Sequence, residues 1–219
     1  MKVWIAGAAG QVGLELARTD WGDAERMLTI RGACDVTKFD EVIAAAAYRP
    51  DIIVNATGYT AVDDAETNPS AAASVNALGV THLATVAADL NATFIHLSTD
   101  YVFSGTKDGW YTEDDDPSPL GVYGLTKRAG ELAALTAPKA IVLRTSWVYG
   151  ALRPNFVSAI RGLAVEGEDF GVVADQFGCP TAAADIAKAI AQIVDAGAQH
   201  HGLFHLAAPD DASRWEQAV

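Results

Sequence analysis

Cysteine is scarce: the 219 residues hold two, Cys34 and Cys179, far apart and in no CxxC pair. A disulfide scaffold is thereby excluded, and a reduced, cytoplasmic protein is the expectation. His200, His201 and His205 sit close together, but no zinc-like framework accompanies them, so no metal site is expected. Positive charge is sparse as well. Fifteen Lys and Arg stand against 28 Asp and Glu, a net charge of -13 with a pI near 4.6. Such a surface repels polyanions and argues against nucleic acid or an anionic membrane as a general partner. No apolar run reaches the length of a membrane span. The N-terminus carries one lysine and a short apolar stretch that runs straight into glycines, which reads as a strand and not as a signal peptide. Internal repeats, low-complexity tracts and flexible linkers are missing too. Apolar residues are what the chain has in quantity: 50% hydrophobic against 20% charged, enough for a substantial core and too much for a disordered chain.

Short β-rich runs alternate with alanine-rich helical patterns. Strands are expected at 2–6, 27–30, 51–55, 93–97 and 140–143. The intervening helices are expected at 11–18, after Thr37 as a cap, from Pro69 to about 90 behind Asn68 as N-cap, and around Tyr123. Strands interleaved with helices require a parallel sheet covered on both faces, so the class is doubly wound α/β. Later segments, a helix from about 155, a strand at 171–173, a helix from about 182 and a strand at 203–206, read as additions to that sheet.

Two local patterns carry chemistry. The first is the run Gly7-Ala8-Ala9-Gly10-Gln11-Val12-Gly13, which follows the first strand and opens the first helix. Gly7 suits a tight turn, Gly10 lets backbone approach a pyrophosphate, and Gly13 permits close helix–sheet packing, with free amides at the helix start to meet phosphate. The spacing is Gly-x-x-Gly-x-x-Gly, so its place between strand and helix counts for more than the pattern itself. No acid stands at the end of the second strand to take the ribose hydroxyls of NAD. Arg31 stands there instead, suited to a 2′-phosphate and equally readable as a solvated surface arginine. NADP(H) is therefore favoured and NAD(H) left open, with Asp35 and Val36 placed to cover the adenine.

The second pattern is Tyr123 with Lys127, four residues apart and so on one helix face. A ketone receiving hydride develops an alkoxide, which a positioned acid and a second hydroxyl donor stabilise. A phenol with an ordinary pKa near 10 needs a nearby cation to work near neutral pH, and Lys127 is expected to lower it. Thr99, at a strand end, supplies the second hydroxyl in this reading and a turn cap in the plainer one. The run Glu113-Asp114-Asp115-Asp116 reads as a solvated loop, and His96 as a buried or strand-end histidine.

Taken together, Gly7 to Gly13 with Gln11, Cys34-Asp35-Val36-Thr37, Asn55 to Asp63, Ser98 to Phe103, Tyr123 to Lys127, Arg144 to Gly150 and Asp175 to Thr181 resemble the dTDP-4-dehydrorhamnose reductases. These belong to the extended short-chain dehydrogenase/reductases. The resemblance covers nearly the whole chain and implies a Rossmann-like, doubly wound parallel sheet over residues 1–150. A partial, interleaved C-terminal substrate domain would occupy 151–219, the family continuing beyond that point into further helices and loops. It implies reduction of the 4-keto group of a dTDP-sugar, dTDP-4-dehydro-6-deoxy-L-mannose, to dTDP-L-rhamnose. Tyr123 would be the proton donor, Lys127 would hold the nicotinamide ribose, and Thr99 would bind the carbonyl. Gly7, Gly10, Gln11, Val12, Gly13, Arg31, Asp35, Val36, Ala56, Thr57 and Tyr59 would join them around the dinucleotide, and Asp100, Tyr101 and Trp147 would meet the substrate. Nucleotide-sugar 4,6-dehydratases follow the threonine with an Asp-Glu pair, whereas here Tyr101 follows Asp100, which argues for reduction without dehydration. An incomplete domain would leave apolar surface uncovered and invite association, as a homodimer in the simplest case. The competing reading is a nucleotide-binding regulatory or scaffold subunit that keeps the fold without turnover.

Overall fold

The computed structural model describes residues 1–167 and 169–219. The first half of the chain forms β1 (Lys2–Ala6), α1 (Gln11–Arg18), β2 (Glu25–Thr29), α2 (Phe39–Ala46) and β3 (Ile52–Asn55). Next come α3 (Val62–Thr67), then α4 (Pro69–Ala73), a π-helical turn (Ser74–Leu78) and α5 (Gly79–Asp89), which run on as one helix, followed by β4 (Thr93–Thr99). A 3-10 turn (Asp100–Val102) and a long loop lead to α6 (Val122–Ala134), β5 (Ala140–Thr145) and β6 (Val148–Tyr149). The remainder forms α7 (Phe156–Glu166), β7 (Phe177–Gly178), β8 (Thr181–Ala182), α8 (Ala183–Asp195), β9 (Gly202–His205), β10 (Ala212–Ser213) and α9 (Arg214–Ala218).

Six strands pair in parallel in the order β2-β1-β3-β4-β5-β9. The continuous apolar runs of β1, β3 and β5 follow from this position, since a strand covered on both faces buries successive side chains on opposite sides. Trp4, Ala6, Ile53, Phe94 and Val142 point to one face and pack with Val42 of α2, Leu83 and Ala87 of α5 and Ala134 of α6. Val3, Ile5, Val54, Ile95 and Leu143 point to the other and meet Val12 and Leu16 of α1 and Ile186 and Ile190 of α8. Each such fully buried aliphatic side chain contributes roughly 1.5–3 kcal/mol. The order places β2 on one side of β1 and β3 on the other, so the chain reverses direction across the sheet between β1 and β3. Open α/β sheets bind ligands beyond the strand ends at such a point.

Several local expectations are corrected. The second strand lies at Glu25–Thr29 and not at 27–30. Thr37 does not cap α2: Lys38 holds that position, and the Thr37 hydroxyl donates to Asp35 Oδ1 at 2.8 Å. Asn68 sits at the N-cap of α4 with Pro69 at the first helical position, but its side-chain amide donates to Asp64 Oδ1 and Thr67 Oγ1 in place of capping. No strand forms at 171–173. Gly171, Val172 and Val173 instead pack with Phe156, Ile160 and Leu163 of α7 around a groove, and the neighbouring Phe177–Gly178 pairs antiparallel with β10. The helix Pro69–Asp89 is also long and apolar enough, by length and composition alone, to cross a membrane. Its Val80, Leu83, Ala84, Val86 and Ala87 are instead buried in the core beside the sheet, as in a core helix.

Candidate active site

Over the C-terminal ends of the strands lies a cavity of about 610 Å³. One end is built by the loops after β1 and β3, through Gly10, Gln11, Val12, Ala56 and Thr57. Gly7 makes this possible: its φ is +87°, and a Cβ there would lie 2.7 Å from the backbone of Ala56 and Thr57. Any side chain would push the two loops apart. Gly13 rests equally tightly on the Gly7 carbonyl, so α1 starts directly behind the turn. No side chain caps α1 and no acid stands in its first turn, which leaves its leading amides for an anion. The Gln11 side chain donates to the Val148 carbonyl at 2.7 Å and ties this wall to β6.

Tyr123 and Lys127 of α6 form the floor with Thr99, Asp100 and Tyr101. Both α6 side chains are buried, at 9% and 5% exposure, and face the same cavity. The Lys127 ammonium donates to the Leu97 carbonyl at 2.6 Å, leaving two of its three protons for other partners. Burial pushes the Tyr123 phenol up to about 12, the neighbouring Thr99 hydroxyl pulling the other way and Asp100 adding to the rise. Burial draws Lys127 down to about 8, opposed by Glu131. The expectation that Lys127 lowers the phenol is thus corrected: desolvation outweighs any cation effect on Tyr123 in this structure. Asp100 accepts from Ser146 Oγ at 2.7 Å and Thr99 Oγ1 at 3.1 Å, and burial raises its carboxyl despite these bonds.

Trp147 closes the opposite wall in a left-handed conformation, φ 45°. Gly178 lies against its indole, where a Cβ would come within 2.4 Å of the ring, and the Arg214 guanidinium stacks 3.4 Å from the ring centre. The indole is held as a fixed panel.

Other expected residues lie elsewhere. Arg31 is exposed and pairs through Nε with Asp35 at 3.3 Å, and neither lines the cavity. Val36 is buried in the core, against the Gly79 position. The Tyr59 ring stands outside and its hydroxyl bonds to Asp64, while Asn76 from the π-helical turn grips its backbone N–H and carbonyl. The acidic run is not simply solvated: Glu113 accepts from the His205 amide, and Asp115 pairs with Lys107. His96 is fully buried in β4, as expected, with Nδ1 3.0 Å from Asn55 Nδ2.

Sequence reasoning missed Arg153 and Arg214 on the cavity wall and the buried Glu131 cluster behind it. Position 131 continues the helical stripe of 123 and 127, and that spacing was the available signal.

The family described as RmlD substrate binding domain matches residues 1–219. The chain belongs to this family. Among its relatives, a dTDP-4-dehydrorhamnose reductase of Aggregatibacter actinomycetemcomitans is 40% identical over all of this chain and 77% of its own length. One from Sinorhizobium fredii is 42% identical over 97% of this chain and 74% of its own length. The crystal structure of the Bacillus anthracis dTDP-4-dehydrorhamnose reductase in complex with NADP superposes with a TM-score of 0.95 at 33% identity, over 99% of this chain and 78% of that one. The chain therefore spans about three quarters of the length of these family members.

Proposed function

We propose that this chain is a dTDP-4-dehydrorhamnose reductase, an oxidoreductase that reduces the 4-keto group of dTDP-4-dehydro-6-deoxy-L-mannose to the alcohol of dTDP-L-rhamnose. The observation that carries the reading is the meeting of Tyr123, Lys127 and Thr99 in one cavity with the uncapped start of α1. The same residues fit a nicotinamide dinucleotide. The α1 amides and the Gly10 turn would hold its diphosphate, Ala56 and Thr57 would flank it, and Lys127 would hold the ribose next to the nicotinamide. Arg31 and Asp35 would meet the adenosine end. NADP(H) is favoured and NAD(H) accommodated, in keeping with the NADP bound by the Bacillus anthracis relative. When bound, the reduced dinucleotide supplies a hydride.

The chain's own residues supply the rest. Tyr123, protonated throughout the neutral range because burial holds its pKa near 12, donates its proton to the carbonyl oxygen as negative charge develops there. Thr99 donates a hydrogen bond to the same oxygen. The Lys127 ammonium stabilises the phenolate left on Tyr123 until solvent returns a proton. Asp100, Tyr101 and the Trp147 panel, which belong to the dinucleotide-binding part at 1–150, would orient the sugar together with a substrate-binding part at 151–219. The free thiols of Cys34 and Cys179 suit the cytoplasm, where nucleotide sugars are built.

Following the absorbance of reduced nicotinamide with and without the 4-keto sugar nucleotide, alongside direct measurement of dinucleotide binding, tests this reading. Sugar-dependent oxidation is expected. Binding without any sugar-dependent oxidation would instead support a regulatory or scaffold subunit.

A further inference from the structure

One turn beyond Lys127, Glu131 is completely buried and carries more hydrogen bonds than any other carboxylate in the cavity's surroundings. Ser98 Oγ donates to its Oε1 at 2.7 Å, Arg144 Nε to Oε1 at 2.7 Å, an Arg144 amino group to Oε2 at 2.9 Å, and Arg128 to Oε2 at 2.8 Å. Ser98 lies on β4, Arg144 on β5 and Glu131 on α6, so one side chain joins three elements. The contacts are in step. Residue 97 takes the Lys127 ammonium through its carbonyl, and residue 98 takes Glu131 through its hydroxyl. These are successive rungs between β4 and α6, and the next β4 residue is Thr99, beside Tyr123.

We propose that Glu131 is a positioning residue for the reaction: by clamping α6 to β4 and β5 it sets where the Lys127 ammonium sits. The inference rests on the reductase reading for its purpose, although the clamp itself is a property of the chain. A buried amine tends to lose its proton, and Glu131 is the group that opposes this at Lys127. The other ionisable groups packed around α6 do not serve. His96 on β4 is neutral in its buried site, its pKa driven down by burial and by Lys127 itself. Asp100, in the turn after β4, is engaged by Ser146 and Thr99. Arg144 on β5 and Arg128 on α6 are cations spent on Glu131. Glu66 of α3 accepts from the Val122 amide at the start of the helix. On α5, His82 turns away to the Val36 carbonyl and the Phe39 ring, and Asp89 is exposed. The π-helical turn and α4 contribute no ionisable side chain.

The test compares wild type with Glu131→Gln and Ser98→Ala, reading two things: the titration of Lys127 by the carbon-13 shift of its ε-carbon, and the alkaline limb of the kcat profile. In Glu131→Gln the Lys127 midpoint should fall by about one pH unit, a tenfold change in its proton affinity, and the alkaline limb should move with it while KM for the sugar nucleotide changes little. Ser98→Ala, which removes one rung and leaves Arg144 paired, should shift both readouts in the same direction by less. If Glu131→Gln does not fold, Ser98→Ala decides alone. Loss of thermal stability with an unmoved Lys127 titration in the folded variants would overturn the inference. An inactive wild type would count against the reductase reading, and the carbon-13 titration would still decide the role of Glu131.

Discussion

At the scale of single residues, the site separates the titrations of its two central groups. Tyr123 near 12 stays an acid through the working range, whereas Lys127 near 8 loses its charge within it. The sign follows directly: below about 8 the ammonium is present and the phenolate formed in the reaction is stabilised, and above it that stabilisation is lost. A pH–rate profile should therefore show kcat falling as pH rises through about 8, with the Lys127→Met variant slow and flat across the same range. A limb that survives in Lys127→Met would assign it to another group. The Trp147 panel makes a different claim. Gly178→Ala would put a methyl where the indole now lies and must displace it. KM for the sugar nucleotide should rise at least about tenfold, the equivalent of roughly 1.4 kcal/mol, while dinucleotide affinity stays as in wild type. An unchanged KM would show that the panel does not touch substrate.

At the scale of elements, α6 matters most, because it delivers both Tyr123 and Lys127 and is fixed from behind by a buried ion pair. Removing one partner of such a pair leaves the other charge unpaired in the interior, at a cost of about 3–5 kcal/mol. Arg144→Ala should lose that much in urea unfolding, and a loss under about 1 kcal/mol would show that the clamp bears little on stability. Burial works to raise the folded-state pKa of Glu131, but its donors Arg144, Ser98 and Arg128 together outweigh that and hold it below the ordinary value. Its stabilisation is thus full above the ordinary glutamate range and fades as pH falls through it. The helix and strand that open the chain were readable from sequence because their signals are local: β1 and α1 follow from a short continuous apolar run and the glycine run behind it, at the positions expected. The clamp was not. Glu131, Ser98 and Arg144 are separated along the chain, and only the pairing of β4 with β5 and the packing of α6 against both bring them together. The π-helical turn that presents Asn76 to Tyr59 has no composition of its own, and two-residue strands such as β7 and β10 are set by their partners and not by propensity.

At the scale of the whole molecule, the sequence disclosed the residues of the cavity better than their electrostatics. Thr99, Tyr123, Lys127 and Trp147 meet as a group, because strand ends and helix starts in a doubly wound sheet converge on one rim. The depth at which the fold sets them could not be read from spacing, and depth is what raises the phenol and lowers the amine. Val36 illustrates the same limit, since a core valine looks like a ligand residue until its neighbours are known. The central claim is that the buried phenol of Tyr123 gives its proton to a sugar ketone beside Lys127. Steady-state reduction of the 4-keto sugar nucleotide by Tyr123→Phe, with dinucleotide binding measured on the same sample, tests it most directly. The account predicts a loss in kcat of at least about a hundredfold with dinucleotide affinity intact, and turnover at the wild-type rate would contradict it.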